Sequence, residues 1–465
     1  MPKPNIIFIL IDDLGWADLS GYGSRFYETP NLDGLIREGI CYSDAYASCP
    51  VCSPTRASVM TGKYPARVGV TNFIGGFNSG KLLEAKYTDH LPLTEKSLAS
   101  ALKEGGYATW HIGKWHLGEE NYFPERHGFD INIGGCGMGN PGHDGYFPPY
   151  HVPVTAKSDK EYLTDRLTDD ACGLIKKRDK DKPFFLNLWH YAVHTPIMAK
   201  EDDIKYFEQK ARRMGIDKIY PFVEDTPHPS YNYKGQYIKK RLIQSDPVYA
   251  AMLYNLDMNV GKILKTLREQ NIEDDTIVIF TSDNGGESSA GGSPTSNKPL
   301  CEGKGWMYEG GVRVPLIIKW NNKIAANTVS DTPVVTMDFY PTLLKAAGLD
   351  YDTEQHADGL DMFAPGFDYI KRPLFWHFPH YANQGGTPAC SVRSGDYKLI
   401  RFFEDERFEL YDLKNDLSET EDFSKKQPER VKELNGLLSE WLADVCAKFP
   451  SANPEWKAED YIVRI

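Results

Sequence analysis

Long apolar runs are missing from this sequence. The N-terminal one, Asn5-Ile-Ile-Phe-Ile-Leu-Ile11, meets Asp12-Asp13 too soon for a membrane span or a secretory leader. It reads as a buried strand. The expectation is a cytoplasmic protein if the chain is complete, and a periplasmic or secreted one if a leader was removed. A basic excess is missing too. Lys and Arg number 53 against 65 Asp and Glu, for a formal net charge of -12, which excludes nucleic acid and anionic membrane surfaces as partners. An acidic protein still binds an anion where its few cations converge on one pocket. Cysteine is sparse, with 8 in 465 residues, and demands no oxidising compartment. Only Cys49 and Cys52 stand close together, and no second Cys or His pair sits at zinc spacing beside them. Internal repeats and low-complexity stretches are absent.

What is present is an ordinary globular composition, 41% hydrophobic and 25% charged, in a chain long enough for two domains or one large domain with an appendage. Runs rich in β-branched and aromatic residues predict strands at Asn5–Ile11, Ala108–Ile112, Pro183–Trp189, Thr276–Phe280 and Val314–Trp320. Helical periodicity between them predicts helices at Leu93–Glu104, Leu163–Lys177, Val248–Gln270 and Asp338–Ala347. This alternation is that of an α/β fold with a mainly parallel central sheet flanked by helices. Near Asp358–Phe367 the texture changes to shorter strands at Leu374–Phe378, Ala389–Arg393, Tyr397–Phe403 and Phe408–Asp412, with a helix over Pro428–Ala447. The predicted division is therefore 1–366, catalytic, and 367–465, a smaller α+β domain with an antiparallel sheet. Residues 200–244, polar and weakly periodic, read as a surface excursion.

Ligands of open α/β sheets sit beyond the carboxyl ends of the strands. The first strand ends in Asp12-Asp13 and the fourth in Ser282-Asp283-Asn284-Gly285-Gly286. Three carboxylates and an amide oxygen from two strand ends suit a hard cation such as Ca²⁺ or Mg²⁺, although any one of these acids alone could be a helix cap. The second strand leads into Gly113-Lys114-Trp115-His116 and the third into His190 and His194-Thr195-Pro196. A histidine by itself is usually a packing residue. A cation and several imidazoles at the edge that carries the acids are what hydrolysis of an anionic ester requires.

The most informative stretch is Cys52-Ser-Pro-Thr-Arg56-Ala-Ser-Val-Met-Thr-Gly-Lys63. Its pattern, Cys-x-Pro-x-Arg followed by Thr-Gly, resembles the signature of the type I sulfatases, whose cysteine is oxidised to formylglycine. Gly113-Lys-Trp-His-Leu-Gly118, His194-Thr-Pro196, Ser282-Asp-Asn-Gly-Gly286 and Lys304-Gly-Trp-Met-Tyr-Glu-Gly-Gly-Val-Arg-Val-Pro315 resemble the family's other motifs, in the family's order.

The resemblance implies an alkaline-phosphatase-like fold. It implies that Asp12, Asp13, Asp283 and Asn284 hold Ca²⁺ together with the nucleophile from Cys52, and that a formylglycine-generating maturation enzyme is a partner. Arg56 and Lys114 would hold the hydrated aldehyde and the sulfate, His116 would be the base, and His194 with Lys304 would bind sulfate and protonate the leaving oxygen. The chemistry explains the odd nucleophile. Two hydroxyls on one carbon let one attack sulfur while proton loss from the other later expels sulfate, where a plain serine would be stranded as a stable ester.

The segment from Trp376 to Gly386 mixes aromatic faces with short polar groups, a composition that stacks on sugars and bonds their hydroxyls. His377, His380 and Asn383, with Arg393, are the candidate substrate-binding residues; a Gly-bounded loop with aromatic packing is the other reading. Together with Asn132-Ile-Gly-Gly-Cys136, the segment resembles microbial carbohydrate sulfatases, which implies a sulfated carbohydrate, with galactose or N-acetylgalactosamine favoured and exo action expected. Two rivals stay open, a phosphonate monoester or phosphodiester hydrolase of the same superfamily and a non-catalytic glycan-binding relative.

Overall fold

The computed structural model of the protein describes residues 3–457 apart from 357 and 370. Its centre is an eight-stranded sheet of β1 (Asn5–Ile11), β2 (Ile40–Tyr42), β3 (Ala108–Gly113), β4 (Ile131–Ile133), β5 (Phe184–Trp189), β6 (Thr276–Ser282), β7 (Leu316–Lys319) and β8 (Thr328–Ser330). Their spatial order is β8-β2-β7-β6-β1-β5-β3-β4. β1 lies between β5 and β6 and is parallel to both, with Ile11 opposite Ser282 and Leu10 opposite Trp189. Only β7 runs against its neighbours. The strand expected at Val314–Trp320 in a mainly parallel sheet is present as β7 and is its antiparallel member. The chain enters it from the segment that crosses the carboxyl edge of the sheet, so it descends where the others rise.

Among the described residues, seven helices of more than four residues flank the sheet, α1 (Pro30–Glu38), α2 (Cys52–Thr61), α3 (Leu98–Glu104), α4 (Leu163–Lys177), α5 (Glu201–Met214), α6 (Pro247–Glu269) and α7 (Phe339–Ala346), and another, α8 (Pro428–Asp444), packs in the C-terminal region. A strand covered on both faces has no reason to alternate polar with apolar residues, and Ile6 to Ile11 are all fully buried. Ile7, Ile9 and Ile11 pack in the core shared with α1, α4, α5 and α6, while Ile6, Phe8 and Leu10 pack with α2, α3 and α7. Each such side chain contributes about 1.5–3 kcal/mol of transfer free energy.

Two local expectations change. α3 begins at Leu98 rather than Leu93, because Ser97 caps it by accepting from the Ser100 amide. The excursion over 200–244 is structured: α5 has Glu201, Asp202 and Asp203 in its first turn, Arg212 and Arg213 in its last and a left-handed Gly215 after it, and a hairpin pairs Phe222–Pro227 with Tyr237–Arg241. Only Phe207 and Ala211 of α5 are buried, on one narrow stripe of a helix that is otherwise polar.

A separate antiparallel sheet joins β9 (Leu374–Phe378), β10 (Ala389–Ser394), β11 (Tyr397–Phe402) and β12 (Phe408–Asp412), in that order. Its core includes Leu434 and Leu438 of α8, but also Tyr46, Cys49 and Val51, the residues leading into Cys52. The Trp376 indole donates to the Ala47 carbonyl at 2.8 Å and its ring lies 5.2 Å from Tyr46. The C-terminal sheet thus buttresses the approach to α2.

Candidate active site

α2 is buried along its whole length although half of its residues are polar. Burial is tolerated because the helix satisfies its own polar groups: Ser58 Oγ donates to the Lys63 carbonyl and Thr61 Oγ1 to the Ala57 carbonyl. Gly62, in the left-handed conformation, ends it. At its other end Val51 provides no side-chain cap, so the first turn, with its unpaired N–H groups and positive dipole end, opens on the cleft that Val51 and Cys52 line. Cys52 and Arg56 are one turn apart and share a face, the physical meaning of the Cys-x-Pro-x-Arg spacing.

That face meets the carboxyl edge of the sheet. Arg56 is fully buried, with Nε donating to Asp283 Oδ2 at 2.8 Å, Nη1 to the Lys114 carbonyl at 3.1 Å and its guanidinium 5.1 Å over the Trp189 ring. Lys114 Nζ donates to both oxygens of Asp12, at 2.9 and 2.8 Å. Lys304 Nζ reaches Asp13 Oδ2 at 2.7 Å, and the Asn284 amide donates to Asp13 Oδ1 at 2.8 Å. Three cations from three distant segments therefore face three carboxylates from two strand ends.

Asp13 and His116 both hold a left-handed backbone, with φ of 61° and 53°, which non-glycine residues seldom adopt. Such local strain concentrates where side chains must point in one direction. His116 Nε2 lies 3.0 Å from the Ile74 carbonyl and Nδ1 lies 3.3 Å from Cys52 Sγ. A carbonyl only accepts, so Nε2 carries the proton and the Nδ1 lone pair faces residue 52. Burial, helped by Lys114, holds the His116 imidazole well below its usual pKa, so it is neutral and able to take a proton.

His194 has the complementary arrangement. Its Nδ1 donates to the Thr195 carbonyl at 2.7 Å, and its Nε2 accepts from Lys304 Nζ at 3.1 Å. Burial and the neighbouring Lys304 push it down to about 3. Lys304 is itself raised, since Asp13 and Glu287 outweigh the cost of its burial. His190 does not line the cleft; burial lowers it to about 4.

The acid cluster meets the requirements of a hard divalent cation. Burial pushes Asp12 well above the carboxylate range, Lys114 opposes it, and Asp283 and Asp13 add repulsion. Asn284 Oδ1 is buried and accepts no hydrogen bond. An unsatisfied amide oxygen beside crowded carboxylates is costly unless a cation takes the lone pairs. Asp12, Asp13, Asp283 and Asn284 could supply four oxygen donors.

The cleft has a volume of about 440 Å³, and its wall includes Phe73, Ile74, Asn140, Tyr233, Glu287, Asn383 and Gln384. Of the four substrate-binding candidates only Asn383 lines it. His377 Nε2 pairs with the Lys448 carbonyl, His380 Nε2 lies 2.9 Å from Thr71 Oγ1, and Arg393 binds Asp44 at 2.7 Å. Those three are buried on or next to the C-terminal sheet; His380 and Arg393 tie it to the catalytic region, whereas His377 packs within the C-terminal region against Phe403 and Phe449. Sequence reading missed Glu287 and Gln384, which bond each other at 3.0 Å across the cleft wall. Glu287 stands three residues beyond Asn284 on the same loop, the one signal that could have marked it.

A parallel sheet whose carboxyl edge joins a helix-borne nucleophile position, an acid cluster and buried cations defines an alkaline-phosphatase-like hydrolase of anionic esters. The chain belongs to the sulfatase family: the model named Sulfatase matches residues 4–349, and the one described as N-sulphoglucosamine sulphohydrolase, C-terminal, matches residues 302–447. It is a sulfuric ester hydrolase. Among its relatives is a sulfatase of Formosa agariphila, 34% identical over 95% of this chain and 89% of its own length. The human N-acetylgalactosamine-6-sulfatase is 30% identical over 80% of this chain and 68% of its own. The crystal structure of Ps i-CgsB in complex with k-i-k-neocarrahexaose, 29% identical, superposes with a TM-score of 0.76 over 98% of this chain and 96% of that one. Among the described residues, no helix is long and apolar enough to cross a membrane.

Proposed function

We propose that the protein removes a sulfate ester from a galactose or N-acetylgalactosamine unit at the end of a glycan, after a maturation enzyme has converted Cys52 to formylglycine. The observation that carries this reading is the placement of Cys52 Sγ 3.3 Å from an acceptor nitrogen of His116, on the cleft that His194 and Lys304, both in contact with Asp13 of the acid cluster, also line. Asp12, Asp13, Asp283 and Asn284, with residue 52, would hold Ca²⁺. Formylglycine, once hydrated, supplies a hydroxyl nucleophile, and the cation supplies positive charge where sulfate oxygens gather.

The chain's own residues do the rest. Arg56 and Lys114, fixed by Asp283 and Asp12, put positive charge beside the reacting group without reorganising. His116 Nδ1 accepts the proton released at residue 52, and its Nε2–H stays on Ile74. His194 and Lys304 hold a proton on their 3.1 Å contact, ready for the departing alcohol oxygen.

The cleft wall argues for a neutral sugar. Its ionisable residues are His116, Tyr233, His194, Glu287 and Lys304, and Lys304 is already tied to Asp13. Among the described residues that line the cleft no free cation waits for a carboxylate or a second sulfate, whereas Asn140, Asn383 and Gln384 can bond hydroxyls and the Tyr233 and Phe73 rings offer stacking faces. N-acetylgalactosamine-6-sulfatase relatives and a neighbour solved with k-i-k-neocarrahexaose support the same choice. The test is a panel of sulfated monosaccharides and an aryl phosphate diester with matured enzyme, whose Cys52 peptide mass verifies conversion. Galactose-type sulfates should turn over fastest and Cys52→Ala should abolish turnover. Faster cleavage of a sulfated uronate or of the phosphate diester would refute the substrate assignment.

A further inference from the structure

Away from the acid cluster, His143, Asp144 and His151 bring two imidazoles and a carboxylate together, with their ligand atoms all within 4.8 Å of one another. Asp144 Oδ2 lies 3.1 Å from His143 Nε2 and 2.5 Å from His151 Nε2, and the two rings are 4.3 Å apart between centroids. We infer that these three residues form a binding site for a borderline transition-metal ion, Zn²⁺ being the best match, on the loop that walls the catalytic cleft.

The donor set decides the ion. Two nitrogens and one oxygen suit Zn²⁺, Ni²⁺ or Cu²⁺ and serve Ca²⁺ poorly, the reverse of the oxygen-only cluster formed by Asp12, Asp13, Asp283 and Asn284. Ligands of a tetrahedral Zn²⁺ bound at about 2.0–2.2 Å sit roughly 3.4 Å apart, so each imidazole nitrogen needs to move from the Asp144 oxygen by no more than about 1 Å. The shift falls on side chains of an irregular loop, with no helix or strand between Ile133 and Leu163, whose backbone is anchored by the buried Tyr146 and Val152. The balance of protons is simple: in each neutral imidazole the ring proton moves to Nδ1 and the Nε2 lone pair turns to the metal. His143 is 80% exposed, which leaves a solvent-facing position for water as the fourth ligand.

The loop links this site to the cleft. The Asn140 side chain, on the cleft wall, accepts from the Gly142 amide at 2.9 Å. Gly142 packs so closely on His151 that a Cβ there would lie 2.6 Å from the His151 Cβ. Clamping residues 143–151 would therefore steady the wall that Gly139 and Asn140 form beside His116.

The test is equilibrium dialysis of the full protein against micromolar Zn²⁺ with Ca²⁺ in large excess, the bound zinc measured by mass spectrometry. One Zn²⁺ per chain is expected, with affinity falling at least tenfold in His143→Ala and in His151→Ala and with thermal unfolding of the zinc-free variants unchanged. Co²⁺ in place of Zn²⁺ should give the strong visible absorption of a four-coordinate ion, lost in the same variants. No uptake by the wild type, or equal uptake by wild type and both variants, overturns the site.

Discussion

His116 Nδ1 stands 3.3 Å from Cys52 Sγ, a contact between residues 64 apart in sequence, and its orientation is set from behind by the Ile74 carbonyl at 3.0 Å. One ring nitrogen is thereby committed as a donor to the backbone, and the other is free to act as a base.

His116→Ala should lower kcat of the matured enzyme by about 10²–10⁴ while its melting temperature stays near that of the wild type. Steady-state kinetics beside differential scanning calorimetry would decide this, and an unchanged kcat would remove His116 from the mechanism.

Gly139 gives a subtler handle on the same ring. A Cβ at that position would lie 2.5 Å from His116 Cε1, so Gly139→Ala must displace the imidazole. Misplacement by about 1 Å can cost on the order of 10²-fold in rate. The loss should fall on kcat with little change in stability to urea.

Chelation should destabilise the fold as well as silence the enzyme. A cation present at a hundredfold excess over its Kd contributes about 3 kcal/mol, and its removal leaves Asp12, Asp13 and Asp283 facing one another. Melting in EDTA should drop by several degrees and recover with added Ca²⁺; identical curves would argue against a metal at these residues.

Lys398 sits fully buried between Glu309 and Glu419, 2.9 and 3.1 Å from their oxygens. Lys398→Met should cost about 3–5 kcal/mol, because Glu419 would lose its cation in the core joining the C-terminal sheet to the segment before Arg313, while Glu309 keeps its pairing with Arg313. The double variant with Glu419→Gln should regain part of that loss in urea titrations.

Burial lifts the Glu84 carboxyl to about 7, against the opposing bond from the Asn78 amide at 2.8 Å. The folded state then holds a proton more tightly than the unfolded chain, so this residue's contribution is fully present below the unfolded pKa of about 4.3 and is lost as pH rises through 7. Glu84→Gln keeps the acceptor and removes the titration. Relative to the wild type it should gain on the order of 1–3 kcal/mol between pH 5 and pH 8, read from unfolding at both values.

Much of this molecule was legible in one dimension. The uninterrupted apolar run of β1, the acids that end β1 and β6, and the four short C-terminal strands each follow from local pattern, because a strand buried on both faces and a strand end at a ligand site impose their composition directly. The residues Cys52, Arg56, Lys114, His116, His194 and Lys304 are legible because they stand in short motifs that resemble those of the sulfatases. Their partners were not. That Arg56 answers to Asp283, Lys114 to Asp12 and Lys304 to Asp13 depends on which strands lie side by side, a matter of sheet order that no local window contains. The same holds for His377, His380 and Arg393: an aromatic and polar loop has one composition whether it grips a sugar or seals a core, and only their tertiary partners, Lys448, Thr71 and Asp44, hold these side chains inward while Asn383 and Gln384 line the cleft.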